Sequence, residues 1–386
     1  VAESADRHGW AGAPTRIGTG WEAPLLLALT LIALSAGAVI VHSASMMKAD
    51  ADGLPHYHYL LRQLVGGAMG VVLLALAANV DYRRLRLIAW PLLFGTVAAL
   101  LLVILPGTES IAPVRNGARR WLEIGPLVVQ PSEFAKLTLL VWTAALAVKK
   151  QEKLRSLSRG LGPFLLVWFM VGLLIAVEPS MSAALLVVLL SSLVVFAAGA
   201  RIGHIVALGL LGLPLLVKVI GSMAYRSDRI EAFLNPSADV AGAAYQINQA
   251  MIAVGSGGLF GRGFARGQQK FGFLPEPHND FILAIMAEEW GFLGVVAVIV
   301  LFALIALIGY RIARQAADLF GFLLAIGLTN LIVVPAMLHI AVNLSLVPAT
   351  GVTLPFISYG RSSLLVSLAA VGILMSIARP VGRRAA

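Results

Sequence analysis

Residues Trp290–Tyr310 read WGFLGVVAVIVLFALIALIGY, twenty-one positions without a charge, closed by Glu288 and Glu289 on one side and by Arg311 and Arg314 on the other. As a helix rising about 1.5 Å per residue, this run matches the roughly 30 Å hydrocarbon core of a bilayer. Similar uncharged runs cover Pro24–Val41, Gln63–Val80, Leu87–Leu105, Gly160–Val177, Pro179–Ala200, Phe320–Ala341 and Leu364–Ala378. Two weaker ones complete the set: Ile202–Val217, and Val129–Val148, which Glu133 and Lys136 interrupt. The reading is an all-α polytopic membrane protein of ten helices.

Composition excludes other classes. Of 386 residues, 59% are hydrophobic and 12% charged, against about 25% charged in a soluble chain. With no cysteine, a disulfide framework, a thiol nucleophile and cysteine-held metals are all excluded. The net charge of +10 points to anionic lipid before nucleic acid, because no basic-aromatic nucleic-acid module accompanies it.

Basic residues cluster at 81–86, 149–159, Arg201, Arg311/Arg314 and Arg379/Arg383/Arg384. The positive-inside rule makes that side cytoplasmic, and an even helix count then places both termini there. We divide the chain into a cytoplasmic segment 1–22, one ten-helix membrane domain 23–378 and a basic cytoplasmic tail 379–386. Four longer connections fall on the outer face: His42–Arg62, Pro106–Leu127, Gly221–Glu289 and Ser345–Ser363. The third, between helices seven and eight, is too long for a structureless connection, so it is expected to be partly folded or re-entrant.

The outer loop after the third helix carries Arg115, Arg119 and Arg120 beside Trp121. Their planar forks suit the phosphates of a pyrophosphate-bearing lipid, and equally those of bulk phospholipid. Glu133 and Lys136, three apart on one helical face, can neutralise each other, which favours a structural or positioning pair over a catalytic one. Glu178 is a further carboxylate at membrane depth, its partner not readable from spacing. The stretch Gly255–Gly263 lacks the Lys-Ser/Thr of a P-loop, while Arg262, Arg266 and Lys270 are expected to add positive field to the outer face. Glu276, His278, Asp280 and Glu288 lack zinc-site spacing, although a hydrated divalent cation, Mg2+ or Mn2+, could bridge carboxylates and pyrophosphate. No Ser/His/Asp order supports a serine hydrolase. Asp228 and Asp280, on the same long connection, are further candidates for acid-base work; alternatively Asp228 pairs with Arg226 or Arg229 and Asp280 caps the following helix.

In order along the chain, Asn116–Trp121, Gln130–Glu133 with Lys136, Tyr245-Gln246, Gly255–Gly258, Leu274–Glu276 with His278 and Asp280, and Leu354–Gly360 resemble the motifs of the SEDS family. That family comprises the polytopic peptidoglycan polymerases of the FtsW, RodA and SpoVE branches. The resemblance spans Tyr59 to Arg379, with Tyr245–Ala250, Gln269-Lys270 and Pro355–Tyr359 looking most like the division-associated FtsW branch.

The resemblance implies a glycosyltransferase that polymerises lipid II on the outer face of the bacterial cytoplasmic membrane, at the division septum, releasing undecaprenyl pyrophosphate. It implies a class B penicillin-binding transpeptidase and other divisome membrane proteins as partners. Asp239 corresponds to the family's essential acid. Arg115, Arg119, Arg120, Glu133 and Lys136 would line or support the lipid groove, with Tyr245, Gln246, His278, Asp280 and Ser358 binding substrate. The chain departs from the family pattern at Ser180, Val240, Asn279 and Arg361. Rival readings are an elongation-type polymerase, a lipid II transporter or flippase and a scaffold that only recruits the transpeptidase. The transporter reading lacks an inverted repeat.

Overall fold

The computed structural model describes residues 20–114, 118–125, 127–221, 224–235, 242 and 244–379. Ten long helices run up and down: α1 (Glu22–Ala51), α2 (His58–Asn79), then after the short α3 (Arg83–Leu87), α4 (Ala89–Ile104), α5 (Pro131–Lys150), α6 (Gly162–Val177), α7 (Met181–Ala197) and α8 (Ile202–Gly221). After α9 (Ala224–Leu234) and α10 (Tyr245–Ser256) the bundle resumes with α11 (Ile282–Arg314), α12 (Leu319–Asn343) and α13 (Arg361–Ala378). Between α4 and α5 lies an antiparallel hairpin of β1 (Leu122–Ile124) and β2 (Leu127–Val129), with Leu122 opposite Val129. Six of the helices are long and apolar enough to cross a membrane, and the helices Ala89–Ile104 and Met181–Ala197 and the stretch Ile202–Gly212 are shorter apolar segments. The amphipathic α5 completes the set of ten.

Lipid tails are as apolar as leucine, so these helices associate by close packing more than by water exclusion. α12 and α13 are 72% buried along their spans, against 28% for α2, so they form the centre and α2 the rim. Gly372 lets α13 lie against the α2 backbone at Leu74, where any side chain would collide.

One end of the bundle is pinned by polar contacts. Arg83 and Tyr82 both donate to Asp318, at 2.9 and 2.7 Å, Arg311 pairs with Glu22 at 3.0 Å, and Arg379 donates to Asn79. These join the start of α1, the ends of α2, α11 and α13 and the start of α12, all at the end that carries the basic connections.

Two sequence expectations change. α1 does not stop near Val41 but continues to Ala51, so the connection to α2 is only 52–57 and not 42–62. Ser43, Ala44, Ser45 and Ala49 are buried there against protein, and Lys48 closes the helix by pairing with Asp52 at 2.9 Å. A hydropathy scan ends the span early because it takes polar residues that face protein for residues that face water. The long connection 221–289, by contrast, is folded as expected: it holds α9, α10 and the first turns of α11, whose residues 282–289 are fully buried. α11 itself is broken at Gly291 (φ 70°, ψ −167°), where the backbone of residues 259–261 occupies the space a side chain would need. Residues 257–263 then bond to the break: Arg262 and Gly263 donate backbone N–H groups to the carbonyls of Glu288 and Glu289.

Candidate active site

At the opposite end of the bundle the connections converge. Asn343, the last residue of α12, accepts from the Ala284 amide at 3.0 Å and donates to the Asp280 carbonyl at 3.2 Å, so it caps the start of α11 from another helix. Asp280 does not perform that capping. Ser358 donates to the Asn279 carbonyl at 2.8 Å and accepts from the Leu354 amide at 2.9 Å, while Tyr359 donates its amide to the His278 carbonyl. Gln63 of α2 reaches the Ser358 carbonyl at 3.3 Å. The described contacts of Ser358 thus join two loops and reserve its hydroxyl for the backbone.

His278 lies between Tyr59 and Tyr359, with ring centroids 5.0 and 5.5 Å away. Burial, helped by nearby Lys48, pushes its pKa down to about 4, so the ring is neutral at pH 7. Its Nδ1 has no hydrogen-bond partner among the described residues.

The three arginines of the first outer loop separate. Arg115 lies outside the described residues. Arg119 is spent on its own loop, donating to the Ala112 carbonyl, the Thr108 hydroxyl and Glu109. Arg120 crosses to the α6–α7 connection, where it donates to the carbonyls of Glu178 and Pro179 at 3.0 and 2.6 Å. Arg229 of α9 donates to the Ala349 carbonyl at 2.9 Å.

Arg229 and Arg120 both act electrostatically on Asp280, a carboxyl with no hydrogen bond to its side chain among the described residues. Burial raises the Asp280 pKa to about 6; Arg229 opposes the rise, Glu276 adds to it and Arg120 opposes it further. Arg229, through the Ala349 carbonyl, and Asp280, whose carboxyl lies beside Gly351, both adjoin the connection after α12, while Arg120 holds the α6–α7 connection at the same end of the bundle. Guanidinium groups offer a pyrophosphate a matched fork of charged donors.

The Asp280 shift has a consequence for stability. The folded value lies above that of an unfolded aspartate, so the folded chain keeps a proton that the unfolded chain releases between about pH 4 and 6. That contribution is present below the unfolded value and is lost as pH rises through about 6. Asp280→Asn should flatten the pH dependence of the melting temperature between about pH 4 and 6 and raise it above pH 6, measured by thermal unfolding in detergent; curves superimposable on the parent would refute this.

The remaining candidates are placed as follows. Glu133 and Lys136 form the expected ion pair at 2.7 Å, with side chains 13% and 7% exposed, near the start of α5. Tyr245 and Gln246 open α10, half-buried. Lys270 does not contribute free positive field: its side chain is 2% exposed and bonds Glu289 at 2.7 Å and Ser43 at 2.8 Å. Arg262 is likewise paired, lying 3.4 Å from Glu288, which accepts the amides of Gln268 and Gln269. Asp239, Asn116, Gly117 and Val240, and the side chains of Arg226 and Asp228, lie outside the described residues. Among the described residues no three His, Asp or Glu side chains group as a metal site would need. The sequence reading missed Arg229 as a site residue, and it missed Tyr59 and Asn343 altogether; only a tertiary contact reveals each.

A multi-pass helical bundle with a folded connection between α8 and α11, and arginines that tie the connections together at one end, defines the class. The chain belongs to the FtsW/RodA/SpoVE family, described as cell cycle proteins, whose model matches residues 24–382. It is 41% identical over 357 residues to the stage V sporulation protein E of Bacillus subtilis, covering 92% of this chain and 96% of that one. It is also 41% identical to the probable peptidoglycan glycosyltransferase FtsW of Trichlorobacter lovleyi, covering 92% and 93%. Among solved structures, it resembles one described as showing structural coordination of polymerization and crosslinking by a peptidoglycan synthase complex (TM-score 0.74, 30% identity, 92% and 96% covered). The rod shape determining protein RodA of Thermus thermophilus is also similar (TM-score 0.67, 28% identity, 92% and 95% covered).

Proposed function

We propose that this chain is a peptidoglycan glycosyltransferase that polymerises lipid II at the end of the bundle opposite the basic connections, the outer face of the cytoplasmic membrane. The observation that carries the reading is the gathering of polar connections at this end, Arg120 on the Glu178 and Pro179 carbonyls, Arg229 on the Ala349 carbonyl and the Asp280 carboxyl beside Gly351, in a chain with relatives over nearly its full length named for this activity. In the reaction, the 4-hydroxyl oxygen of the acceptor sugar bonds to the anomeric carbon of the donor as the bond from that carbon to the pyrophosphate oxygen breaks. Asp239 takes the hydroxyl proton, the anomeric centre inverts, and undecaprenyl pyrophosphate leaves with its charge held by arginine side chains. Lys136, neutralised by Glu133, positions the groove wall near the start of α5.

A division-type role, with a class B penicillin-binding transpeptidase as partner, agrees with the FtsW-named relatives and with the complex described in the solved structure. The test incubates purified protein, with and without such a partner, with fluorescent lipid II and resolves the products on a gel. A ladder of glycan strands is expected. Absence of a ladder under both conditions, together with lipid II translocation in liposomes, would replace the polymerase reading with the transporter.

A further inference from the structure

At the end of the bundle remote from that chemistry, a cavity of about 180 Å³ opens between α4, α5 and the α3 turn. Arg86, Ala89, Trp90, Trp142, Ala145, Leu146 and Lys149 line it. Three features of this lining are unlike an ordinary packing gap. Arg86 and Lys149 are both exposed, and neither forms an ion pair or side-chain hydrogen bond among the described residues. Of the other basic residues at this end, Arg83 is engaged by Asp318 and Lys150 by the Arg159 carbonyl, while Arg84, Arg201 and Arg314 are exposed as these two are but border no cavity wall of tryptophan.

Trp90 is 50% exposed and meets Trp142 edge-on, with ring centroids 5.5 Å apart, so an interfacial aromatic and a core aromatic form one continuous wall. Trp142 is 1% exposed, and its indole N–H finds no hydrogen-bond partner among the described residues, an uncommon state for a buried donor. The neighbouring Trp168 shows the usual solution, donating to Thr143 at 3.1 Å.

Two unpaired cations, an interfacial tryptophan and an apolar wall, at the level where a helix leaves the bilayer, match the chemistry of a phosphate head group carried on a lipid tail. A nucleotide or sugar would find few hydrogen-bonding groups here. A free phosphate would gain nothing from Trp90, Ala145 and Leu146. The volume admits a glycerol phosphate but not a whole lipid, so the acyl chains would run outward over Trp90 and Phe94, which are 50% and 63% exposed.

We propose that this cavity seats the phosphate and glycerol head of an anionic phospholipid from the cytoplasmic leaflet. The leaflet follows from the membrane orientation adopted under the proposed function; the site itself does not depend on the polymerase chemistry. It lies at the opposite end of the bundle and touches none of the residues assigned to lipid II.

The full chain, delipidated in a neutral detergent, is titrated with phosphatidylglycerol, phosphatidylcholine or glycerol 3-phosphate, and bound ligand is counted by native mass spectrometry. One phosphatidylglycerol should bind ahead of any phosphatidylcholine. Arg86→Gln with Lys149→Gln should weaken it at least tenfold, and Ala145→Phe, which fills the cavity without touching its charge, should weaken it as well. Arg201→Gln with Arg314→Gln removes the same charge from exposed sites at the same end but outside the cavity, and should leave binding unchanged. Equal loss in that control pair would overturn the proposal in favour of diffuse attraction, and equal binding of phosphatidylcholine would overturn the need for an anion. Tight binding of glycerol 3-phosphate would replace the lipid with a soluble phosphate. Should Ala145→Phe fail to elute as folded protein, the two charge pairs, all four residues being exposed, still decide the question. A lost lipid site with an intact glycan ladder, or the reverse, separates this inference from the proposed activity.

Discussion

Asp239→Asn should lower lipid II polymerisation at least about a hundredfold, the range that removal of a positioned general base produces, while the melting profile stays that of the parent. The reason is chemical. A sugar hydroxyl is a weak nucleophile at neutral pH, and an amide of the same size and shape as the carboxylate cannot take its proton. The substitution preserves side-chain volume and one acceptor oxygen while turning the other oxygen into an N–H donor, so a fold that depended only on the shape of this side chain would survive. The measurement is the initial rate of glycan formation by the purified protein, with and without a class B penicillin-binding protein, alongside thermal unfolding of the same preparations. A variant polymerising at the parental rate would remove Asp239 from the chemistry and leave Asp280, the carboxyl on which Arg229 and Arg120 act, as the next residue to replace.

Lys270→Met should destabilise the protein by about 3–5 kcal/mol, the cost of leaving one member of a buried ion pair without its counter-charge. Glu289 is fully buried; its Oε1 accepts from Lys270 at 2.7 Å and Ser43 at 2.6 Å, and its Oε2 from the Ala265 amide at 3.0 Å. Removal of the ammonium leaves a carboxylate in a place that water does not reach. The pair also ties the connection 257–281 to the last third of α1 through Ser43, so its loss should loosen the segment that carries His278 and Asp280. Pairing Lys270→Met with Glu289→Met should recover most of the loss, because two apolar side chains of similar length remove both charges together. Equilibrium unfolding of the parent, the two single variants and the double variant gives the coupling between the residues directly. A single variant within about 1 kcal/mol of the parent would mean that this network contributes little to stability.

Much of this architecture was legible in residue order alone. Eight uncharged runs of helical length and two weaker ones, one of them interrupted by Glu133 and Lys136, located the ten long helices, because the bilayer imposes a local rule: each span must satisfy its own backbone and face hydrocarbon. The Glu133–Lys136 pair was equally legible, since residues three apart share a helix face whatever the surroundings. Family membership also followed from motif order, and the relatives found over nearly the whole chain agree with it.

Tertiary structure decided what local rules do not reach. Arg119 and Arg120 are adjacent in sequence, yet one is spent within its own loop and the other crosses to the α6–α7 connection. Lys270 reads as a surface cation but is buried, because its partners are a residue 19 positions later and a serine 227 positions earlier. Arg229 joins the site through the Ala349 carbonyl, 120 positions away. The continuation of α1 to Ala51 and the break of α11 at Gly291 follow from the same cause. Whether a polar residue faces water, lipid or another helix depends on a neighbour brought up by the fold, and hydropathy, which averages over the chain nearby, carries no information about that neighbour. The sequence by itself determined how often this chain crosses the membrane and which family chemistry to expect; only the packing of distant segments decided which charges are spent within one loop, which are buried in pairs and which tie the connections together at one end.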